Sequence, residues 1–201
     1  MHKMIGNYIN KVIQMHSKSI QTFHFYSLLL LSVVMLSACN PVKDTANVAK
    51  QLETVSEIYE VHDDGRIYVF YDKNTYKEFM QLGETSYRLT RIGTGPNGET
   101  MVFGLSKKDK KKGANTPAVK LYENKIKPAP GFYAETIRHG RIYVFSTFAD
   151  MQTVRQFGHP NFFYTEIGSG PKGETVVYVL NKKTKKKKPT DLITEFKKRN
   201  A

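Results

Sequence analysis

The chain of 201 residues contains few of the side chains on which enzyme chemistry depends. Its single cysteine, Cys39, excludes a disulfide within the chain. Only three histidines follow it, His62, His139 and His159. Neither a Gly-x-Ser-x-Gly elbow nor a His-Glu-x-x-His helix occurs in the sequence. We therefore predict a protein that is not an enzyme and that has no catalytic residue, metal or cofactor.

One weak metal motif is present. His62 is followed by Asp63 and Asp64, whose carboxylates could join it around a cation, but the later segment Arg138-His139-Gly140 offers no carboxylate in the matching place. The preferred interpretation is a polar turn at both positions.

A long apolar run is also missing. Residues 27–36 are largely apolar, but ten residues are too few for a bilayer core, which needs roughly twenty in a helix. Residues 1–25 contain Lys3, Lys11 and Lys18 and no acidic side chain. A basic segment before a short apolar run predicts a secretory signal, with Met4 and Met15 as alternative starts.

The apolar run ends in Leu36-Ser37-Ala38-Cys39, and this tetrapeptide resembles the lipobox of bacterial lipoproteins. The resemblance implies cleavage between Ala38 and Cys39, a diacylglyceryl thioether on the Cys39 sulfur and acylation of the new amine. Two or three acyl chains make a durable anchor, whereas one holds only marginally. The alternatives are an ordinary signal peptide or a buried helix with a core cysteine. By the sorting rule of enteric bacteria, Asn40 in place of Asp favours the outer membrane over the inner membrane of the cell envelope.

Positive charge dominates the chain, with 31 Lys and Arg against 18 Asp and Glu. Without residues 1–38, which hold three lysines and no acid, the formal charge is +10. Most of the excess lies in residues 107–112, 182–188 and 197–199. Such segments indicate anionic partners such as phosphorylated lipid headgroups, lipopolysaccharide or acidic polymers, or else solvated strand ends. Nucleic acid is disfavoured because no aromatic residues interrupt the two long lysine segments.

The sequence after the cysteine repeats itself at an offset of 75 residues. The segment Gly-Arg-Ile-Tyr-Val-Phe at 65–70 returns at 140–145, and Ile-Gly-Thr-Gly-Pro-Asn-Gly-Glu-Thr at 92–100 returns at 167–175 with two changes. The lysine segments coincide at the same offset. A shared offset over the whole unit predicts a tandem duplication.

The first copy shows four strand patterns and one helix pattern. Segments 57–61 and 66–71 flank Asp64-Gly65, a hairpin signal. Apolar spacing predicts a helix over 75–82, with Asp72 or Asn74 as its N-cap and Gly83 as its end. Two further strands are predicted over 87–92 and 100–105.

The second copy keeps this order. Met151, Val154 and Phe157 have helical spacing, and that helix would be capped by Ser146 or Asp150 and end at Gly158. The strands that follow are predicted over 162–167 and 175–180.

These patterns predict an α+β fold made of two tandem ββαββ repeats. A unit of about 55 residues buries only a marginal core, so we expect one pseudo-symmetric body with antiparallel sheets covered by short helices. Short helices are also expected over 46–56, 117–124 and 190–196, with 125–131 as the joint between the copies. The expected domains are the signal peptide 1–38, lipidated cysteine with tether and short helix 39–56, first repeat 57–112, linker 113–130, second repeat 131–188 and basic C-terminal helix or tail 189–201.

A glycine pattern in each copy is typical of a different fold. Residues 93–98 and 168–173 both match Gly-x-Gly-x-x-Gly. A dinucleotide site needs a helix N-terminus after the glycines, whereas strand patterns follow here. We interpret both segments as hairpin turns.

The candidate binding residues are basic. Arg88 and Arg91 in the first copy become Phe163 and Glu166 in the second, so they would give one copy a basic strand, or else reflect drift at a contact between the copies. The lysine segments complete the candidate anion-binding set: Lys107, Lys108, Lys110, Lys111, Lys112, Lys182, Lys183, Lys185, Lys186, Lys187 and Lys188. The function expected is a membrane-anchored, non-enzymatic envelope lipoprotein with a binding or assembly role toward an envelope protein or an anionic polymer. The alternative is an inhibitor or immunity lipoprotein that neutralises a foreign toxin or enzyme.

Overall fold

The computed structural model describes residues 54–201. The predicted signal peptide, the cleavage site between Ala38 and Cys39, the lipid on Cys39 and the tether therefore lie outside the described residues. So does most of the helix expected over 46–56, while its last two positions, Val55 and Ser56, belong to a strand.

Eight strands and four α-helices follow one another in the described part of the chain, so the mixed α and β composition is confirmed. The predicted strand, strand, helix, strand, strand order is present in both halves. In chain order the elements are β1 Val55–Asp63, β2 Arg66–Phe70, α1 Lys73–Leu82, β3 Arg88–Arg91, β4 Thr100–Gly104, a 3-10 turn Gly113–Asn115, α2 Pro117–Tyr122, β5 Pro128–Arg138, β6 Arg141–Phe145, α3 Phe148–Phe157, β7 Phe162–Glu166, β8 Thr175–Leu180 and α4 Thr190–Asn200.

All eight strands form one mixed sheet in the order β3-β4-β2-β1-β5-β6-β8-β7. The expectation of antiparallel sheets was wrong, because three of the seven pairs are parallel: β1 with β5, β2 with β4 and β6 with β8. The helix after β2 or β6 makes a connection long enough for a parallel crossover, so β4 and β8 return beside β2 and β6 in the same direction. The pairing of β1 with β5 joins all the strands into a single sheet.

The turns and caps follow from local sequence. Asp64 and Gly65 both have positive φ, 44° and 69°, as the twist of a two-residue hairpin requires. The Asp72 carboxylate accepts the Thr75 N–H at 2.9 Å and caps α1. The cap of α3 was predicted wrongly. It is Thr147, whose hydroxyl accepts the Asp150 N–H at 3.1 Å, because the helix begins at Phe148.

Alternate residues of each strand point to opposite faces, so the sheet carries two cores. On one face Ile58, Val69 and Phe145 pack with buried side chains of α2 and α3. On the other face Tyr59, Phe70 and Tyr178 pack with side chains of α1 and α4. Two helices therefore cover each face.

Two further boundaries differ from expectation. Residues 128–131, expected in the joint, form the start of β5, where Pro128 pairs with Val55 before the register shifts to Glu57 with Tyr133. A proline is tolerated at a strand start, and Gly131 takes a positive φ of 72° within the irregularity. Helix α4 extends four residues beyond the predicted end at 196.

Candidate functional site

Both lysine segments follow strands that run in the same direction. β4 is parallel to β2 and β8 is parallel to β6. β2 and β6 run antiparallel to the central pair β1 and β5. Consequently β4 and β8 finish at the end of the sheet where β1 begins. We call this end, with the eleven lysines of 107–112 and 182–188, the basic end.

The twist of the sheet leaves both lysine segments at the same end. β4 and β8 each lie about two and a half strand spacings from the middle of the β1–β5 pair. At about 20–25° per strand, each is turned by roughly 50° from the central direction. Both strand ends therefore still project toward the basic end, and the described chain enters the sheet between them, at β1.

The first lysine segment is folded around a buried carboxylate. Asp109 is 0% exposed and accepts hydrogen bonds from the hydroxyls of Tyr71 and Ser106. The Lys112 ammonium lies 2.8 Å from its other oxygen. Burial raises the pKa of Asp109, but the bonds from Lys112, Ser106 and Tyr71 outweigh burial and leave the pKa below its ordinary value. The segment is thus a structured turn that presents its lysines outward.

The second segment is fixed by amide and hydroxyl contacts instead. The Asn181 side chain accepts the Lys183 N–H at 3.0 Å and donates to the Asp150 carboxylate at 3.0 Å. The Thr184 hydroxyl accepts the Asn181 N–H, also at 3.0 Å. Every lysine from 182 to 188 is exposed. The sequence places these lysines correctly at a strand end, but the contacts that order the turn depend on the fold.

The two candidate arginines lie at opposite ends of the edge strand β3, and only Arg88 is at the basic end. Arg91 donates to the Glu123 carboxylate at 2.7 Å and is only partly exposed. Arg88 lies exposed on the same edge strand. β3 is antiparallel to β4, and Arg91 pairs with Met101 near the start of β4, at the opposite end of the sheet from the lysines. Arg91 is therefore separate from the lysine surface, whereas Arg88 pairs with Gly104 at the end of β4 and lies at the basic end.

The two glycine patterns form turns whose backbone is already bonded. In the first, Gly95 donates its N–H to the Glu99 carbonyl at 2.9 Å and the Glu99 carboxylate accepts the Asn97 N–H at 2.8 Å. In the second, Glu174 accepts the Lys172 N–H at 2.7 Å. Because glutamate carboxylates occupy the N–H groups that a phosphate would need, the geometry fits a turn rather than a dinucleotide site.

A buried polar network that we did not predict surrounds Glu60, which is 1% exposed. Its carboxylate accepts from the Tyr122 hydroxyl and lies 3.3 Å from an Arg155 nitrogen and 3.2 Å from the His62 Nε2. Burial raises the pKa of Glu60, but the His62 bond and the Arg155 charge outweigh it, so the net pKa is lowered.

The interpretation of His62 as a turn residue was wrong, because it lies in β1, paired with Ile67. His139 does lie in a turn, with φ of 50°.

A second buried glutamate stands 75 residues later. Glu135 is 2% exposed and accepts from the Tyr133 hydroxyl at 2.6 Å and from the Asn200 amide at 2.9 Å. Here burial outweighs those two bonds and raises the pKa. Tyr59 pairs with Glu135 across the sheet and Thr136 with Glu60, so the two carboxylates face opposite sides. A glutamate within an apolar strand pattern, at two positions separated by the sequence offset of 75 residues, is the signal that could have revealed them.

A cavity of about 250 Å³ lies beside the Glu60 network, lined by Arg91, Tyr122 and Arg155 among others. Both guanidinium groups are already paired, Arg91 with Glu123 and Arg155 with Glu60. The Arg155 guanidinium also stacks over the Tyr122 ring at 4.2 Å. These contacts favour a structural role for the network.

No helix within residues 54–201 is long and apolar enough to cross a membrane. Nor do three or more His, Cys, Asp or Glu side chains in this part come together in a way that could hold a metal ion.

The chain matches no protein-family model, no curated protein and no solved structure.

Proposed function

We propose that the chain is a lipid-anchored, non-enzymatic protein of the cell envelope whose basic end binds an anionic polymer or the acidic surface of an envelope protein. The observation that supports this is the position of the two lysine turns, which flank the strand where the described chain begins. Thr54 follows Cys39 by fifteen residues, which span at most about 50 Å even when extended. A lipid on Cys39 would thus keep the basic end near the membrane, with the outer membrane favoured.

The charge of this end favours binding to an anionic surface. Lysines near an anionic membrane surface contribute up to about 1 kcal/mol each, and the effect falls off within a Debye length of about 8–10 Å. Asp109, the one carboxylate within the first turn, is buried and paired. We therefore expect binding that weakens steeply with salt.

We also propose that the two halves arose by tandem duplication and form one pseudo-symmetric body. From the central pair outward, the strands follow the order β1-β2-β4-β3 on one side and β5-β6-β8-β7 on the other. The sequence repeats at the same offset of 75 residues. Under this proposal, duplication placed one lysine turn on each side of the chain entry and so doubled the binding surface.

Crosslinking in intact cells tests the function. A photo-crosslinker in each lysine turn of the lipidated protein should capture a polyanion or an acidic partner, and Lys111→Gln with Lys186→Gln should reduce capture. The matched control is Arg66→Gln with Arg141→Gln, two exposed cations at the opposite end of the sheet. The control should leave capture unchanged.

Two results would overturn the proposal. One is unchanged capture after all eleven lysines become glutamine. A salt-insensitive complex with one foreign toxin or enzyme under those conditions would instead support the inhibitor class. The other is a Cys39→Ser chain that remains acylated and membrane-bound, which would remove the anchor from the proposal.

A further inference from the structure

A groove of about 630 Å³ opens at the basic end, between the end of β8, the start of α4 and the residues of β5 at its register shift. Phe132, Leu180 and Leu192 contribute apolar surface to its lining, and Lys183, Lys187 and Lys188 also line it. All three lysines are exposed. The groove therefore combines an apolar floor with a basic rim.

The acidic side chains of the groove do not cancel this charge. Asp191 and Glu195 also line it. Glu195 is paired with Arg199 at 2.6 Å, so three lysines face one remaining carboxylate, Asp191. In addition, no side chain caps the N-terminus of α4, whose N-cap is Pro189. The positive end of the helix dipole adds to the attraction for an anion.

The volume and the lining together indicate the class of ligand. Small-molecule sites in proteins usually measure about 300–1,000 Å³, are mostly apolar and hold a few polar groups that fix orientation. An apolar floor favours an acyl chain, and a lysine rim favours a phosphate. A soluble polyanion would leave the floor uncovered, whereas an anionic lipid satisfies both parts of the groove.

We propose that this groove binds one anionic phospholipid of the bilayer that holds the anchor. The phosphate would lie at Lys183, Lys187 and Lys188, and the upper part of an acyl chain would lie on Phe132, Leu180 and Leu192. The inference rests on the proposed function, because the anchor brings the basic end to the membrane. It goes further by assigning a single bound molecule to one of the two lysine turns.

The first lysine turn lacks the same construction. Lys112, the residue 75 positions before Lys187, is held by Asp109 at 2.8 Å. Gly113 and Pro117 stand 75 positions before Lys188 and Leu192. In the first turn, a glycine therefore stands in place of the rim lysine, and a proline stands in place of the leucine of the floor. We expect one lipid for each chain rather than two.

Native mass spectrometry of the mature lipidated protein in mild detergent tests the proposal. Phosphatidylglycerol should bind one molecule per chain, whereas phosphatidylcholine with the same acyl chains and water-soluble glycerol phosphate should bind at least roughly tenfold more weakly. Lys183→Gln with Lys187→Gln and Lys188→Gln should weaken phosphatidylglycerol binding by about tenfold or more. The matched control is Lys182→Gln with Lys185→Gln and Lys186→Gln, which removes equal charge from the same turn without touching the groove.

The outcomes separate the groove from the proposed function. Equal loss in the two triple variants, or equal binding of lipid and glycerol phosphate, would overturn the groove while leaving a basic surface that attracts anions. Binding of an acidic peptide in preference to phosphatidylglycerol would overturn the lipid assignment. Loss confined to the groove variant, with one lipid per chain, supports the proposal even if crosslinking finds no polymer or protein partner.

Discussion

Arg91 on β3 and Glu123, which follows α2, lie 2.7 Å apart. In the second half of the chain, Glu166 on β7 and Lys197 on α4 lie 3.9 Å apart with the charges exchanged. Each pair connects an edge strand to the helix that follows the next strand. Arg91 therefore contacts the protein itself rather than offering a free cation.

Exchanging the charges of the first pair should preserve it. Arg91→Glu alone places two carboxylates together and should lower the free energy of unfolding by about 1 kcal/mol, since partly exposed pairs contribute about 0.2–1 kcal/mol. Adding Glu123→Lys should recover only part of that loss, because Glu123 also pairs with Lys125 at 2.6 Å and the new lysine would lie beside that cation. Urea unfolding of the single and double variants gives the coupling energy. Arg88→Glu, exposed on the same strand, is the control and should shift stability by less than about 0.5 kcal/mol. A double variant no more stable than the worse single one would contradict this role.

Glu60→Gln should be strongly destabilising at neutral pH. The substitution leaves the Arg155 guanidinium buried without its carboxylate, and breaking a buried pair in this way costs about 3–5 kcal/mol. Because the folded pKa of Glu60 is lowered, its contribution to stability is present above the ordinary pKa and is lost as pH falls. Urea unfolding from acid to neutral pH should show this loss in the wild type and a flatter profile in the variant.

Glu135→Gln should destabilise the protein much less than Glu60→Gln at neutral pH. Its folded pKa is raised by burial, so its contribution is present at low pH and is lost as pH rises through that folded pKa. Glutamine resembles the protonated carboxyl group, and we expect the variant to lose less than about 1 kcal/mol at neutral pH, since an intramolecular hydrogen bond contributes about that much. A Glu135→Gln chain as unstable at neutral pH as Glu60→Gln would show that the two glutamates do not differ in this way.

Asp109→Asn should loosen the first lysine turn. The asparagine oxygen can replace Oδ2, which accepts both hydroxyl bonds, but the amide nitrogen would then face the Lys112 ammonium in place of Oδ1, so we expect a loss of about 1–3 kcal/mol. Because the pKa of Asp109 is lowered, the wild type should show the same loss as pH falls. Hydrogen exchange at the backbone of 106–112 measures the effect locally. Asp63→Asn, at an exposed hairpin position, should leave that exchange unchanged.

The sequence predicts those turns and helix ends that depend only on residues close to one another in the chain. The Asp64-Gly65 hairpin, the Asp72 cap and the glycine end of α1 each arise within a few positions, and each is present. The parallel pairing of β1 with β5 and the Glu60 network could not be predicted in the same way. Tyr122 and Arg155 reach Glu60 from 62 and 95 residues away, and only the order of strands in the sheet brings them there.

The parallel contact between β1 and β5 has a consequence for the order of folding. In the first half alone, β1 has β2 on one side and an open edge on the other, and an unpaired edge invites association with other chains. Its partner β5 begins only at Pro128, and such distant pairings form slowly. A chain that is synthesised from the N-terminus therefore passes through a stage in which β1, the later central strand, is an exposed edge of an incomplete sheet. At this stage the chain most needs a chaperone.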